Sequence, residues 1–269
     1  MKVILSRKGF DSSYGGCPSP VLPDGTMVSF PIPSSDAFCT YDSLMFRGIT
    51  YSEMIRQLSG RHYQYCHLDP DLRSAIRAVP YNWRSGFGQV GSAEGHLEKN
   101  NVGINDLFMF FGWFRKTEWI TAGEKTTLAF PPTEQGQHML YGYLQVGEIL
   151  RGDDCKSFPW HPHSQEYESS NNTIYVATDE LIIDGFKTGL KGYGTFRYSD
   201  ELVLTKAGFS RSKWDLPTFF RDVTISYHSK KSFKERYFQS AMRGQEFVIS
   251  ENHNVSEWAK ALIMNNAVT

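Results

Sequence analysis

Two runs of aromatic and aliphatic residues constrain this chain most. Residues 106–115 read Asp-Leu-Phe-Met-Phe-Phe-Gly-Trp-Phe-Arg, and residues 139–150 read Met-Leu-Tyr-Gly-Tyr-Leu-Gln-Val-Gly-Glu-Ile-Leu. Phe, Tyr, Trp and β-branched residues fit a pleated, buried surface, so both runs predict strands. They fall well short of the roughly 20 apolar residues a membrane helix needs. A glycine inside each run permits a bulge, a sheet corner or the close approach of another group. Further strands are expected at 1–6, 173–177, 181–183, 201–205, 223–227 and 246–250, separated by Gly- and Pro-rich turns such as 187–194. The expected class is α+β and β-rich: a mainly antiparallel sheet or a small barrel with several peripheral helices.

Helix signals are few. Thr50-Tyr-Ser-Glu53 has the form of a capping box, with Met54, Ile55 and Leu58 at helical spacing and Gly60 as a stop. Asp69-Pro70 reads as a cap followed by a first-turn proline, with Leu72, Ala75, Ile76 and Val79 as the buried stripe. A third helix is expected near 89–99, weakened by Gly91 and Gly95, and a last one over 254–265, capped by Asn254. The chain is expected to fold as one elaborated domain spanning 1–269.

The 28 Lys and Arg nearly balance the 29 Asp and Glu, so no global field draws the protein to nucleic acid or a membrane surface; such binding has to be local. The apolar start at 1–5 is broken at once by Ser6-Arg7-Lys8, so neither a signal peptide nor a membrane span is expected. Cys17, Cys39, Cys66 and Cys155 are scattered without a Cys-x-x-Cys pair, which reads as buried thiols in a reducing cytoplasm.

Candidate chemistry gathers in three places. The Gly-, Pro- and Ser-rich stretch 7–35 follows the first strand and reads as an ordered loop. There Arg7, Lys8, Ser12 and Ser13 can hold a phosphate, and Asp11 can orient a sugar or polarise a nucleophile. The spacing is not that of a P-loop. In His67-Leu-Asp69-Pro-Asp71, His67 is a candidate general base oriented by Asp69; Gln89 and His96 are candidates to face the same pocket. In the aromatic runs, rings such as Trp113 can stack on a base while Arg115 or Gln145 reads its edge. His161-Pro-His163 places two imidazoles close together without an adjacent third ligand, so no metal and no cofactor is expected.

The strings at 5–13, 67–72, 106–115, 141–147 (Tyr-Gly-Tyr-Leu-Gln-Val-Gly) and 212–217 (Ser-Lys-Trp-Asp-Leu-Pro) resemble the third of the nucleotide-modification-associated domain families of bacteria and phages. That resemblance implies a setting in DNA base modification and phage defence, and a nucleotide or a modified DNA base as partner. The order of Asp-apolar strand, long loop and Gly-x-x-x-Val-x-Glu-Ile strand is also similar to the central hairpin of PUA, ASCH and EVE barrels, which implies a PUA-like core. The leading expectation is a nucleotide- or base-binding domain. Two alternatives stay open: an enzyme acting on a nucleotide or nucleotide-sugar, a transferase or hydrolase using Asp11, His67 or Asp69, and a structural partner in a defence complex.

Overall fold

The computed structural model describes residues 1–165, 169–242 and 244–268. The strands used below are β1 (Val3–Arg7), β2 (Ser19–Val21), β3 (Ile32–Ser34), β4 (Cys39–Thr40), β5 (Tyr65–His67), β6 (Gly86–Gln89), β7 (Leu107–Lys116), β8 (Gln137–Arg151), β9 (Thr173–Ala177), β10 (Tyr193–Thr195) and β11 (Glu246–Ile249). The main helices are α1 (Tyr51–Ser59), α2 (Gly91–Lys99) and α3 (His253–Asn266).

The two aromatic runs are β7 and β8, an antiparallel pair at the centre of the largest sheet, with a register shift between Leu140 and Gly142. Strand order is β11-β1-β7-β8-β9-β6, with β2 added to β7 and β10 to β8. The β1–β7 and β2–β7 pairs are parallel and the other pairs in this sheet antiparallel. Residues alternate faces along a strand. Phe108 and Phe110 meet Phe87 on one face, with ring centroids 4.8 and 5.3 Å apart, while Phe111 meets Trp214 on the other at 5.0 Å. A strand covered on both faces reads as a continuous apolar run. Each fully buried Phe contributes roughly 1.5–3 kcal/mol.

The sheet stays open and does not close into a barrel. Its edge strands are nevertheless linked by side chains: Gln89 at the end of β6 donates to Glu246 at the start of β11. Gly112 is also explained at this level. The chain leaving β1 crosses β7 so closely that a Cβ at residue 112 would lie 2.8 Å from the Lys8 carbonyl oxygen, and the Lys8 N–H donates to Phe111 O at 2.9 Å.

A second core packs Phe10, Val28, Phe30, Tyr41, Met54 and Ile55 beneath α1. This explains why the stretch 7–35 is ordered despite its composition: Phe10 and Phe30 are anchors, their rings 5.4 Å apart. The α1 cap is as expected, with Thr50 Oγ1 accepting from Glu53 N–H and Gly60 in the left-handed region. Beside this core, β3 and β4 flank β5 in a small antiparallel sheet. All four cysteines are buried and unbridged.

Several expected elements differ. The helix after Asp69-Pro70 is only a single turn, Ser74–Ile76, and the Asp69 carboxylate that would have capped it accepts from Gly88 N–H instead. The Asp71 carboxylate takes Arg77 and Trp83, and its carbonyl takes the Ser85 hydroxyl. The run at 201–205 is a turn, Asp200–Leu202, followed by isolated bridges, and 223–227 holds one bridge at Ile225. The loop between β7 and β8 contains a hairpin, Glu118–Ala122 with Lys125–Ala129. The last helix is capped by Asn252 rather than Asn254. Among the described residues no helix is long and apolar enough to cross a membrane.

Candidate functional site

Where β1 ends, the chain turns over β7 and meets the ends of β3, β5, β6 and β11. A cavity of about 300 Å3 opens there, lined by Arg7, Lys8, Asp11, Tyr14, Ser34, His67, Asp69, Gly88, Gln89, His163 and Gln245 among others. That volume lies at the lower end of the small-molecule range.

Its cations are held in place. Lys8 Nζ lies 3.1 Å from Glu246 Oε1 and 4.3 Å from the centroid of the Phe87 ring. The Arg7 guanidinium donates to the carbonyls of Gly244 and Met242 at 3.0 and 3.2 Å. Asp11 Oδ1 accepts from the N–H groups of Ser13 and Tyr14, both at 2.7 Å, which shapes its turn and turns Tyr14 outward, 55% exposed at the cavity rim. Gln245 is exposed beside it.

The inner wall is a cluster of imidazoles around one carboxylate. Asp69 Oδ1 accepts from Gly88 N–H at 2.8 Å and faces His161 Nε2 at 3.2 Å. The His161 N–H is off the hydrogen-bond direction and is left without a well-aligned acceptor. Burial alone would raise the Asp69 carboxyl. The close approach of His161 and the positive charge of Lys8 outweigh it and hold the group well below the usual carboxylate range. His67 and His163 stand edge to face, ring centroids 5.1 Å apart. Burial lowers the pKa of both, that of His163 to about 3, so both are neutral near pH 7. His163 Nδ1 meets Asn172 Oδ1 at 2.7 Å, and Asn172 in turn donates to the His163 carbonyl at 2.8 Å. The ring has room because residue 88 is glycine: a Cβ there would sit 2.2 Å from it.

The structure therefore brings together Arg7, Lys8, Asp11, His67 and Asp69, from two segments some 60 residues apart in the sequence. The other residues expected at the site lie outside the cavity. Ser12 is exposed and accepts from Arg211, and Ser13 is exposed beside it. Trp113 lies under the Arg211 guanidinium, 4.1 Å from the ring centroid. Arg115 donates to Pro131 O at 2.6 Å and covers the Phe130 ring. Gln145 is fully buried, its amide closing the backbone between Asn105 and Ile182. Of the two secondary candidates, Gln89 lines the cavity, whereas His96 stacks on Tyr227 at 4.2 Å, away from it.

Three participants were not assigned to this site from sequence. Tyr14 and Gln245 carry no spacing signal. His163 belongs to the paired-imidazole motif, but the groups gathered with it are His67 and Asp69, more than 90 residues earlier, and not its neighbour His161.

Residues 2–250 match the model of nucleotide modification associated domain 3. The chain belongs to this family. Neither a curated protein nor a solved structure shows significant similarity to it. The family's name links the chain to nucleotide modification, and the match spans both cavity-forming segments together with the aromatic strand pair.

Proposed function

We propose that the cavity at the end of β1 binds one nucleotide unit, with the base at the rim and the phosphate inside, and that the domain recognises a modified base in DNA modification or phage defence. The observation that carries this reading is the convergence of Arg7, Lys8 and Asp11 with His67 and Asp69 in one cavity of about 300 Å3. Tyr14 supplies an exposed ring for stacking and Gln245 an amide for a base edge. Lys8 gives the phosphate a point charge, tethered by Glu246. With a net charge of −1, the chain lacks the excess of cations that would follow a long duplex, so a single splayed or free nucleotide fits better than extended backbone contact.

Fluorescence anisotropy with short modified and unmodified oligonucleotides, at two salt concentrations, and calorimetry with nucleoside monophosphates test this. Saturable binding that weakens at least tenfold in Lys8→Gln supports it. No binding to any of these probes contradicts it. The enzyme reading draws support from the carboxylate–imidazole contact of Asp69 and His161 within the same wall; its test is turnover of a nucleotide panel that disappears in Asp69→Asn. A purely structural role fits less well, because Arg7, Lys8 and Asp11 of the polar loop converge on one cavity with His67 and Asp69.

A further inference from the structure

We propose that His67, Asp69 and His163 form a binding site for one divalent transition-metal ion of the zinc and iron(II) class on the wall of this cavity. The proposal does not depend on the nucleotide reading. One ligand atom from each of the three residues lies within 4.8 Å of the other two. Bonds of about 2.0–2.2 Å to such an ion hold neighbouring donors roughly 3–3.5 Å apart. Closing on an ion therefore asks for an inward adjustment of about 1 Å, within reach of the side-chain torsions.

The surroundings match what such ligands need. A metal-binding imidazole usually donates its other N–H to a fixed acceptor, which sets the tautomer and ring orientation. His163 Nδ1 meets Asn172 Oδ1 at 2.7 Å, and Asn172 is itself locked by its bond to the His163 carbonyl. With Nδ1 donating to Asn172, Nε2 is the nitrogen that carries the lone pair. Asp69 Oδ1 is already engaged by Gly88 N–H and faced by His161, while Oδ2 makes no hydrogen bond among the described residues. The His161 N–H, fully buried and without a well-aligned acceptor, has a carboxylate to stabilise once the ion orients Asp69.

The donor set selects the metal. Two imidazoles and one carboxylate suit Zn2+, Fe2+ or Co2+, whereas Mg2+ and Ca2+ require mainly oxygen ligands. Three protein ligands leave coordination positions open toward the cavity, where water or an oxygen of a bound molecule can sit.

The test uses the full chain stripped with a chelator and titrated with Co2+ and with Zn2+. Expected are one equivalent bound, a visible Co2+ band displaced by Zn2+, and no competition from a hundredfold excess of Mg2+. Binding is lost in His67→Ala and His163→Ala and weakened about 10–100-fold in Asn172→Ala. It is unchanged in His253→Ala, which removes a member of the exposed Asp184, His253, Glu257 cluster. Anomalous diffraction at the zinc edge, from wild-type crystals grown with Zn2+, locates the ion without any substitution, so the outcome stands even if a variant misfolds. No uptake by wild type, an anomalous peak elsewhere, or loss in His253→Ala but not in His163→Ala would overturn the proposal.

Discussion

The aromatic centre of the sheet and the polar site at its edge are built from adjoining segments but obey different rules. On β7, Phe108, Phe110 and Phe111 fill both faces of the sheet and meet other rings. Their composition alone dictates where they go. At the end of β1, polar groups are positioned by specific partners that composition does not reveal: Lys8 by Glu246, Asp69 by Gly88 and His161, His163 by Asn172. The first region supplies rigidity and the second uses it. Gly112 is the point of contact, because it lets the chain bearing Lys8 lie against β7.

Phe111→Ala should separate the two most strongly. Removing a ring packed on Trp214, His138 and Phe247 costs about 3–5 kcal/mol by urea denaturation. Nucleotide affinity of the molecules that remain folded should not change. A loss of affinity without a loss of stability would break the distinction.

A pH experiment addresses a carboxyl embedded beside the aromatic layer. The buried Glu94 carboxyl accepts from the Tyr175 hydroxyl at 2.9 and 3.0 Å, and burial pushes its pKa up to about 7 from an ordinary value of 4.5. A carboxyl raised by folding contributes stability that is present below pH 4.5 and is lost as pH rises through 7. Relative to a variant lacking this carboxyl, wild-type stability should therefore fall by about 3 kcal/mol across that interval, while buried neutral imidazoles such as His138 and His163 contribute with the opposite sign to both proteins. The difference between wild type and Glu94→Gln, measured by denaturation at fixed pH steps, isolates it. An unchanged profile would assign the dependence elsewhere.

The smallest effect is the most discriminating. Gly112→Ala should cost about 1–2 kcal/mol, since the added methyl meets backbone and not a flexible side chain. It should also weaken nucleotide binding by displacing Lys8. Destabilisation with unaltered binding would uncouple the two regions.

The same contrast explains what could be read from the sequence. The β7–β8 pair and α1 are legible because each depends on local signals, continuous apolar runs and a Thr50 cap with a Gly60 stop, whereas the ordered loop is expected from its place after the first strand and its anchors, Phe10 and Phe30, come from the fold. The start signal at Asp69 is overridden, since its carboxylate bonds Gly88 N–H and the Asp71 carboxylate takes Arg77 and Trp83. The site was half legible. Arg7, Lys8, Asp11, His67 and Asp69 stand out by type, but the ring expected to meet a base, Trp113, is covered by Arg211, and its neighbours Phe111 and Phe114 are core. Gln145 looked like a reader of base edges and instead satisfies buried backbone groups, a role without any sequence signature.

That choice between rings gives the most direct measurement: calorimetric affinity for a nucleoside monophosphate in Tyr14→Ala beside Trp113→Ala, each checked for an unchanged melting curve. The account predicts at least a tenfold loss for Tyr14→Ala, at the cavity rim, and wild-type affinity for Trp113→Ala. Loss in Trp113→Ala with Tyr14→Ala unaffected would contradict it and move the site to the aromatic sheet.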